Sequence, residues 1–201
     1  MSSAPHIIEA VLNFSLSLKP KTVLDVGCGY GKWGFLLWLH LFENRSNVLI
    51  VGVDVNKENL KLAKRLGVYN DLILADAAKL PFRSNIFDLA LICEVIEHLG
   101  SKHLGFRLIR EVEKTVRKRV IVTTPRSYEA FSGSPDHLTR WEISELKMLG
   151  YKVRGVGLSI FKQKGKLASL VRHFLLKPLS YVLPHISDYM ICVKNLQESN
   201  R

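Results

Sequence analysis

Residues 23–34 read VLDVGCGYGKWG and parse in two registers. From Gly29 the run is G-Y-G-K-W-G, a match to the G-x-G-x-x-G fingerprint of dinucleotide-binding βαβ units. From Asp25 it is D-V-G-C-G-Y-G, a carboxylate followed by glycines at alternate positions. In either register, glycines after a buried strand let the backbone turn tightly and approach a ligand without Cβ atoms in the way. The registers differ in the ligand they imply. A pyrophosphate arriving at the following helix N-terminus would be repelled by an uncompensated carboxylate. A ligand carrying an ammonium or sulfonium group would be drawn to it. Asp25 therefore favours the second register, and Gly34 is left to allow close helix packing.

Outward from this stretch, TVLDVG is a short buried strand, preceded by a helix over roughly 5–18 whose apolar residues Ile7, Ile8, Val11, Leu12 and Leu16 recur at helical spacing. KWGFLLWLHLF is an apolar helix and NVLIVGVDV a second buried strand. NKENLKLAKRLG is a third helix with Asn56 as N-cap and Gly67 at its stop. DLILAD and FDLALIC are short strands, followed by a polar helix around 101–117 and the strand RVIVTTP. Thr139 to Glu142 has the spacing of a capping box opening a helix that ends at Gly150. YKVRGVGL and DYMICVKN are two further strands. Strands alternating with helices give βαβ units, hence a mostly parallel sheet with helices on both faces. A length of 201 residues fits a single domain over 1–201.

Two further carboxylates fall at strand ends. Asp54 closes the second strand, where an acidic side chain accepts hydrogen bonds from both ribose hydroxyls, and it suits either ligand class. Asp76 falls where the third strand ends, in reach of an exocyclic amino group at the adenine end of such a pocket.

DVGCGYG, GVDVN, ADAAKLPF with FDLA, and EVIEHL, in this order and spacing, resemble the class I S-adenosylmethionine-dependent methyltransferases, in particular the type 11-like ones. The resemblance covers about residues 20–157. It implies a Rossmann-like, doubly wound sheet of seven strands, with the last, DYMICVKN, inserted antiparallel beside the fifth. It implies that Asp25 and the backbone at Gly27, Gly29 and Gly31 hold the methionine part of S-adenosylmethionine. Asp54, with Val55 beside it, would hold the ribose, and Asp76 with Ala77 would contact adenine. Glu94 would border the cofactor.

Glu94, Glu97 and His98 in EVIEHL stand at i, i+3 and i+4, so a helical turn would put all three on one face. They begin where the fourth strand ends, at the carboxyl edge where open α/β sheets bind ligands. Two carboxylates and an imidazole form a set for Mg²⁺ or Mn²⁺, which would lower the pKa of a substrate hydroxyl. His137, in SPDHLTRW, would be a fourth ligand or a general base, so that Glu97, His98 and His137 carry the catalytic expectation. This combination is similar to that of ubiquinone-biosynthesis O-methyltransferases and of small-RNA 3′-terminal 2′-O-methyltransferases. The same letters also occur in methyltransferases without a metal, where Glu94 only borders the cofactor and His98 packs locally. His40, His103, His173 and His185 have no such company and read as surface or packing residues.

The net charge of +11 is unevenly spread. Residues 1–150 carry 20 Lys and Arg against 16 Asp and Glu, whereas residues 151–201 carry 9 against 2. That asymmetry fits an anionic partner, RNA or a membrane surface, at the C-terminal part, and equally a solvated basic face. Residues 158–187 form a basic amphipathic insertion between the last two strands, with Leu167, Leu170, Val171, Phe174 and Leu175 on one apolar face. No apolar run reaches about 18 residues, and the N-terminus lacks the basic start of a signal peptide. Three widely spaced cysteines fit reduced thiols in a cytoplasmic protein. The acceptor read from these features is a small-molecule or lipid-like one, methylated at oxygen. Two alternatives stay open: an RNA 2′-O-methyltransferase, and a non-catalytic protein that only binds S-adenosylmethionine.

Overall fold

The computed structural model describes residues 5–43, 47–132, 134–157 and 177–196. The expected insertion at 158–187 therefore lies outside the described residues up to 176.

Seven strands form one sheet in the order β3-β2-β1-β4-β5-β7-β6. They are β1 (Thr22–Val26), β2 (Leu49–Asp54), β3 (Asp71–Leu74), β4 (Phe87–Cys93), β5 (Val116–Pro125), β6 (Lys152–Val156) and β7 (Tyr189–Asn195). β1 to β5 pair in parallel, and β7 runs antiparallel between β5 and β6, as expected of DYMICVKN. The helices are α1 (Pro5–Ser17), α2 (Lys32–Glu43), α3 (Lys57–Arg65), α4 (Lys102–Thr115), α5 (Tyr128–Ser132), α6 (Ile143–Met148) and α7 (Lys177–Val182).

Alternation along the strands distributes side chains to two cores. Leu24, Ala90, Ile92, Val120 and Val122 face a layer built with Leu108, Ile109 and Val112 of α4, Leu146 of α6 and the buried Trp141. Val23, Leu89, Leu91 and Ile121 face the other layer, made with Ile7 and Val11 of α1 and Trp33 and Leu37 of α2. Every residue of β4 is buried, which fixes it as the middle of the sheet. At its N-terminal end the Asp88 carboxylate accepts from the Lys21 backbone N–H at 2.7 Å and from Arg117 at 2.8 Å. Burial works against its charge, but Arg117, the Lys21 N–H and Lys118 outweigh that and hold it well below the usual carboxylate range. That cluster clamps the edge of the sheet remote from the carboxyl ends of the strands.

Local signals hold in α3, where the Asn56 side chain accepts from the N–H groups of Glu58 and Asn59. Two boundaries differ from expectation. α4 runs directly into β5 at Val116, so the strand starts three residues before the expected Arg119. The capping box belongs to Glu142 and Glu145, not to Thr139. The Thr139 hydroxyl is spent on the Ile96 carbonyl at 3.0 Å, a tertiary partner that the local pattern does not reveal.

Candidate active site

The loop after β1 carries Gly27, Gly29 and Gly31 at φ +66°, +54° and +92°, a left-handed region that costs a residue with a Cβ roughly 1–2 kcal/mol. Gly27 and Gly29 line a cavity of about 560 Å³ at the carboxyl edge of the sheet. Asp54, Val55, Asp76, Ala77 and Glu94 line it too, so most of the expected cofactor set converges there.

Asp54 is buried and does two things at once. Its carboxylate accepts from the Gly29 N–H and from the Asn56 N–H, each at 2.8 Å, which fixes the glycine loop to the end of β2. It also lines the cavity; the oxygen that accepts from Asn56 accepts in addition from the Asn59 side-chain amide at 3.4 Å, so that the oxygen bonded to Gly29 keeps a lone pair for a ligand donor. Asp54→Ala is expected to weaken S-adenosylhomocysteine binding at least about 30-fold by calorimetry, from loss of charge-assisted hydrogen bonds. Affinity within threefold of wild type would remove Asp54 from the ribose site. Asp76 lies in the turn after β3, exposed, with one carboxylate oxygen accepting from the Ala78 N–H at 2.8 Å.

Asp25 and Gly31 are placed differently from expectation. Neither is among the residues lining the cavity. The Asp25 carboxylate lies under the loop, wholly buried, and accepts from the Tyr69 hydroxyl at 2.6 Å. Burial raises its pKa to about 6, against the lowering effect of Tyr69. Tyr69 in turn accepts from the Gly34 N–H at 3.1 Å. Gly34 is thus a packing position, as the second register requires. A Cβ there would stand 2.2 Å from the Tyr69 ring.

The EVIEHL stretch does not form the expected single helical face. Glu94 has φ +58°, and only Ile96–His98 make a turn of 3-10 helix. That reversal leaves Glu94 on the cavity and sends Glu97 inward. Glu97, His98 and His137 come together instead, with one ligand atom of each within 4.8 Å of the others. Glu94 is outside this cluster. The fit of that donor set to a cation is partial. Two imidazoles and one carboxylate suit Mn²⁺ or Zn²⁺ better than Mg²⁺, which prefers oxygen.

The backbone holds the cluster rigidly. His98 Nδ1 lies 3.0 Å from the Asp136 carbonyl and His137 Nδ1 2.6 Å from the Phe131 carbonyl. A carbonyl only accepts, so both Nδ1 atoms carry protons and each neutral ring keeps a free lone pair on Nε2. The Glu97 carbonyl accepts from the Leu138 and Thr139 N–H groups at 2.7 and 3.0 Å, tying the His137 loop to the turn. The Glu97 carboxyl is fully buried and makes no well-formed hydrogen bond, with its own backbone N–H and the Thr124 hydroxyl giving only weak polar support. Burial, with Glu94 adding to it, pushes its pKa up to about 8. His98 lines the cavity as well and so joins the two groups.

Three residues here carry no signal that the sequence reading used. Tyr69 is a loop residue, and Tyr189, at the start of β7, is brought near Glu94 and Glu97 only by the antiparallel insertion. Lys32 lines the cavity, and its place directly after the last loop glycine is the clue that would have found it.

Comparison with known proteins bears on the family and the fold. The model of a methyltransferase domain family matches residues 24–123. The ajmaline N-methyltransferase of Rauvolfia serpentina is 28% identical over 143 residues, which cover 68% of this chain and 46% of that protein. The tRNA (carboxymethyluridine(34)-5-O)-methyltransferase of Arabidopsis thaliana is 26% identical over 121 residues, 59% of this chain and 27% of that one. The chain thus spans less than half the length of these relatives. The crystal structure of the methyltransferase domain of bacterial CtHen1 superposes with a TM-score of 0.65 at 25% identity, covering 96% of this chain and 97% of that one.

Proposed function

Because the chain belongs to the class I S-adenosylmethionine-dependent methyltransferases, its methyltransferase domain matched over residues 24–123, we propose that it moves the cofactor's methyl group to a hydroxyl oxygen of a small-molecule or lipid-like acceptor. One observation carries the choice of oxygen: His98 belongs both to the cofactor cavity and to the Glu97–His98–His137 cluster. An acceptor hydroxyl at that junction would meet the methyl group from one side and an unprotonated imidazole Nε2 from the other. The sulfonium is already an activated methyl donor, so alignment and exclusion of water carry much of the rate. The imidazole takes the hydroxyl proton as the C–O bond forms, a contribution of about 10²–10⁴-fold. A Mn²⁺-like ion held by Glu97, His98 and His137 would supply Lewis acidity at that oxygen in place of the imidazole base, because coordination would occupy the Nε2 lone pairs. The exposed side chains of Tyr128 and Leu138, on the two segments that hold His137, favour an acceptor with an apolar body.

A second reading, methyl transfer to RNA, is supported by the tRNA methyltransferase relative and by the net charge of +11. Among the described residues no helix is long and apolar enough to cross a membrane.

Methyl-labelled cofactor should separate these readings when offered with lipid and metabolite fractions and, in parallel, with total RNA, with and without chelator. The expected product is a methyl ether in the lipid or metabolite fraction. Label confined to RNA, with binding that falls steeply with salt, would establish the second reading. Label on nitrogen would end the oxygen assignment, and cofactor binding without transfer to any fraction would mark a non-catalytic protein.

A further inference from the structure

Lys32 opens α2, and its side chain lines the cofactor cavity. Its ammonium nitrogen is sealed from solvent and has no hydrogen-bond partner in the protein. It lies over the neighbouring Trp33 ring, 5.2 Å from the centroid. A cation–π contact offsets only part of the hydration lost when an ammonium is buried. An ammonium has three donors and no acceptor, so Lys32 lacks an acceptor, and an anionic one would also compensate its buried charge. Glu94, across the mouth of the loop at the tip of β4, bears on Lys32 through its field. Burial draws the Lys32 pKa down, and Glu94 and Cys93 oppose that drift.

The chemistry of the ligand decides which anion this is. Asp54 and Asp76 occupy the β2 and β3 side of the cavity, where hydroxyls and an amino group are to be bound. Lys32 and Glu94 occupy the β1 and β4 side. S-adenosylmethionine carries a single anionic group, the α-carboxylate, and it sits beside an α-ammonium. We infer that Lys32 receives this carboxylate and, with Glu94 on the same side, forms a charge pair complementary to the amino-acid end of the cofactor. The inference rests on the proposed cofactor reading. It assigns Lys32 a specificity role: the site distinguishes the intact cofactor from its decarboxylated form.

Paired ligands test this on the full chain by calorimetry. S-adenosylhomocysteine and S-adenosyl-3-thiopropylamine differ only in the carboxylate. Wild type is expected to prefer the former by about 10- to 100-fold, the range of a charge-assisted hydrogen bond. In Lys32→Met, which keeps the length and apolar stem, the two affinities should converge. They converge because binding of the carboxylate ligand falls, while the amine ligand stays within about threefold or gains. Lys32→Arg should restore most of the preference, since its charge and donors remain. This cycle between a residue and a ligand group isolates their coupling from any general effect on the fold.

Equal wild-type affinities for the two ligands would overturn the assignment. So would equal losses for both ligands in Lys32→Met, which would mark a packing role. A wild type that binds neither ligand refutes the cofactor reading instead, and is thereby distinguishable from failure of the Lys32 assignment.

Discussion

Glu97→Gln is expected to yield a protein that is harder to unfold and transfers methyl groups at least about 100-fold more slowly. The wild-type carboxyl is fully buried without a well-formed hydrogen bond, and burial pushes its pKa up to about 8 from an ordinary 4.5 against the weak lowering effects of its own backbone N–H and Thr124. The sign follows from proton binding. Between pH 4.5 and about 8 the folded protein keeps this proton while the unfolded chain releases it, so the group's contribution to stability falls as pH rises through that window. Above pH 8 the whole penalty is present. Its ceiling is roughly 5 kcal/mol at 1.36 kcal/mol per pKa unit. Entry of water and local relaxation reduce it, and about 1–3 kcal/mol is expected.

Glutamine has nearly the same shape and nothing to ionise. Its advantage in melting temperature should therefore be small at pH 5 and grow to about 2–12 °C at pH 9, at roughly 2–4 °C per kcal/mol for a chain of this size. Chelator in the buffer keeps metal out of the comparison. Melting curves that run parallel across this pH range, or turnover within threefold of wild type, would sink the assignment of Glu97 as a buried, functionally retained acid. If Glu97 serves the proposed chemistry, removing it should exchange activity for stability.

The second large effect is expected at Gly34. A Cβ at this position would stand 2.2 Å from Cζ and 2.4 Å from the hydroxyl oxygen of Tyr69. The ring has little room to retreat. Gly31 and Gly52 flank it, each so close that a Cβ there would also lie within about 3 Å of the ring. Moving it would also break the 2.6 Å hydrogen bond to Asp25, leaving a buried carboxyl with no side-chain partner. Gly34→Ala combines overpacking with a broken buried hydrogen bond, and about 2–4 kcal/mol of lost stability is expected. Tyr69→Leu should be destabilising by itself, because it removes the partner of Asp25. The double substitution should cost clearly less than the sum of the two, since the clash is gone. Gly34→Ala within about 0.5 kcal/mol of wild type, or strict additivity with Tyr69→Leu, would refute the packing role.

The strands were legible because burial on both faces leaves short, nearly continuous apolar runs, as around Val23, Leu24, Leu89 and Ala90. Local chemistry was legible too, in the Asn56 cap of α3, which acts within a few residues of itself, and in the strand-end positions of the glycine loop and Asp54. What escaped is tertiary. Tyr69 reaches Asp25 across the fold, and a lone loop tyrosine has no periodicity to betray that. Thr139 has a capping residue's identity, but its hydroxyl answers to Ile96. Glu94 breaks the expected helical face by adopting a left-handed conformation, which glutamate letters do not encode. The cluster survived that error because Glu97, His98 and His137 do not depend on Glu94 for their geometry.

The insertion of β7 between β5 and β6 also sets an order of events on the ribosome, where N-terminal segments emerge first. β1 to β5 have partners among themselves as they appear, but β6 pairs with β7 alone. The glycine loop, Asp54 and the Glu97 turn are all synthesised before the strand that closes the sheet. Until Asn195 is made, β5 presents Val120, Ile121 and Val122 along an open edge, residues that the finished fold buries completely. An open apolar edge is a template for pairing with another chain. The nascent chain is expected to be most prone to aggregate between synthesis of β5 and synthesis of β7, after the glycine loop and Asp54 have already been made.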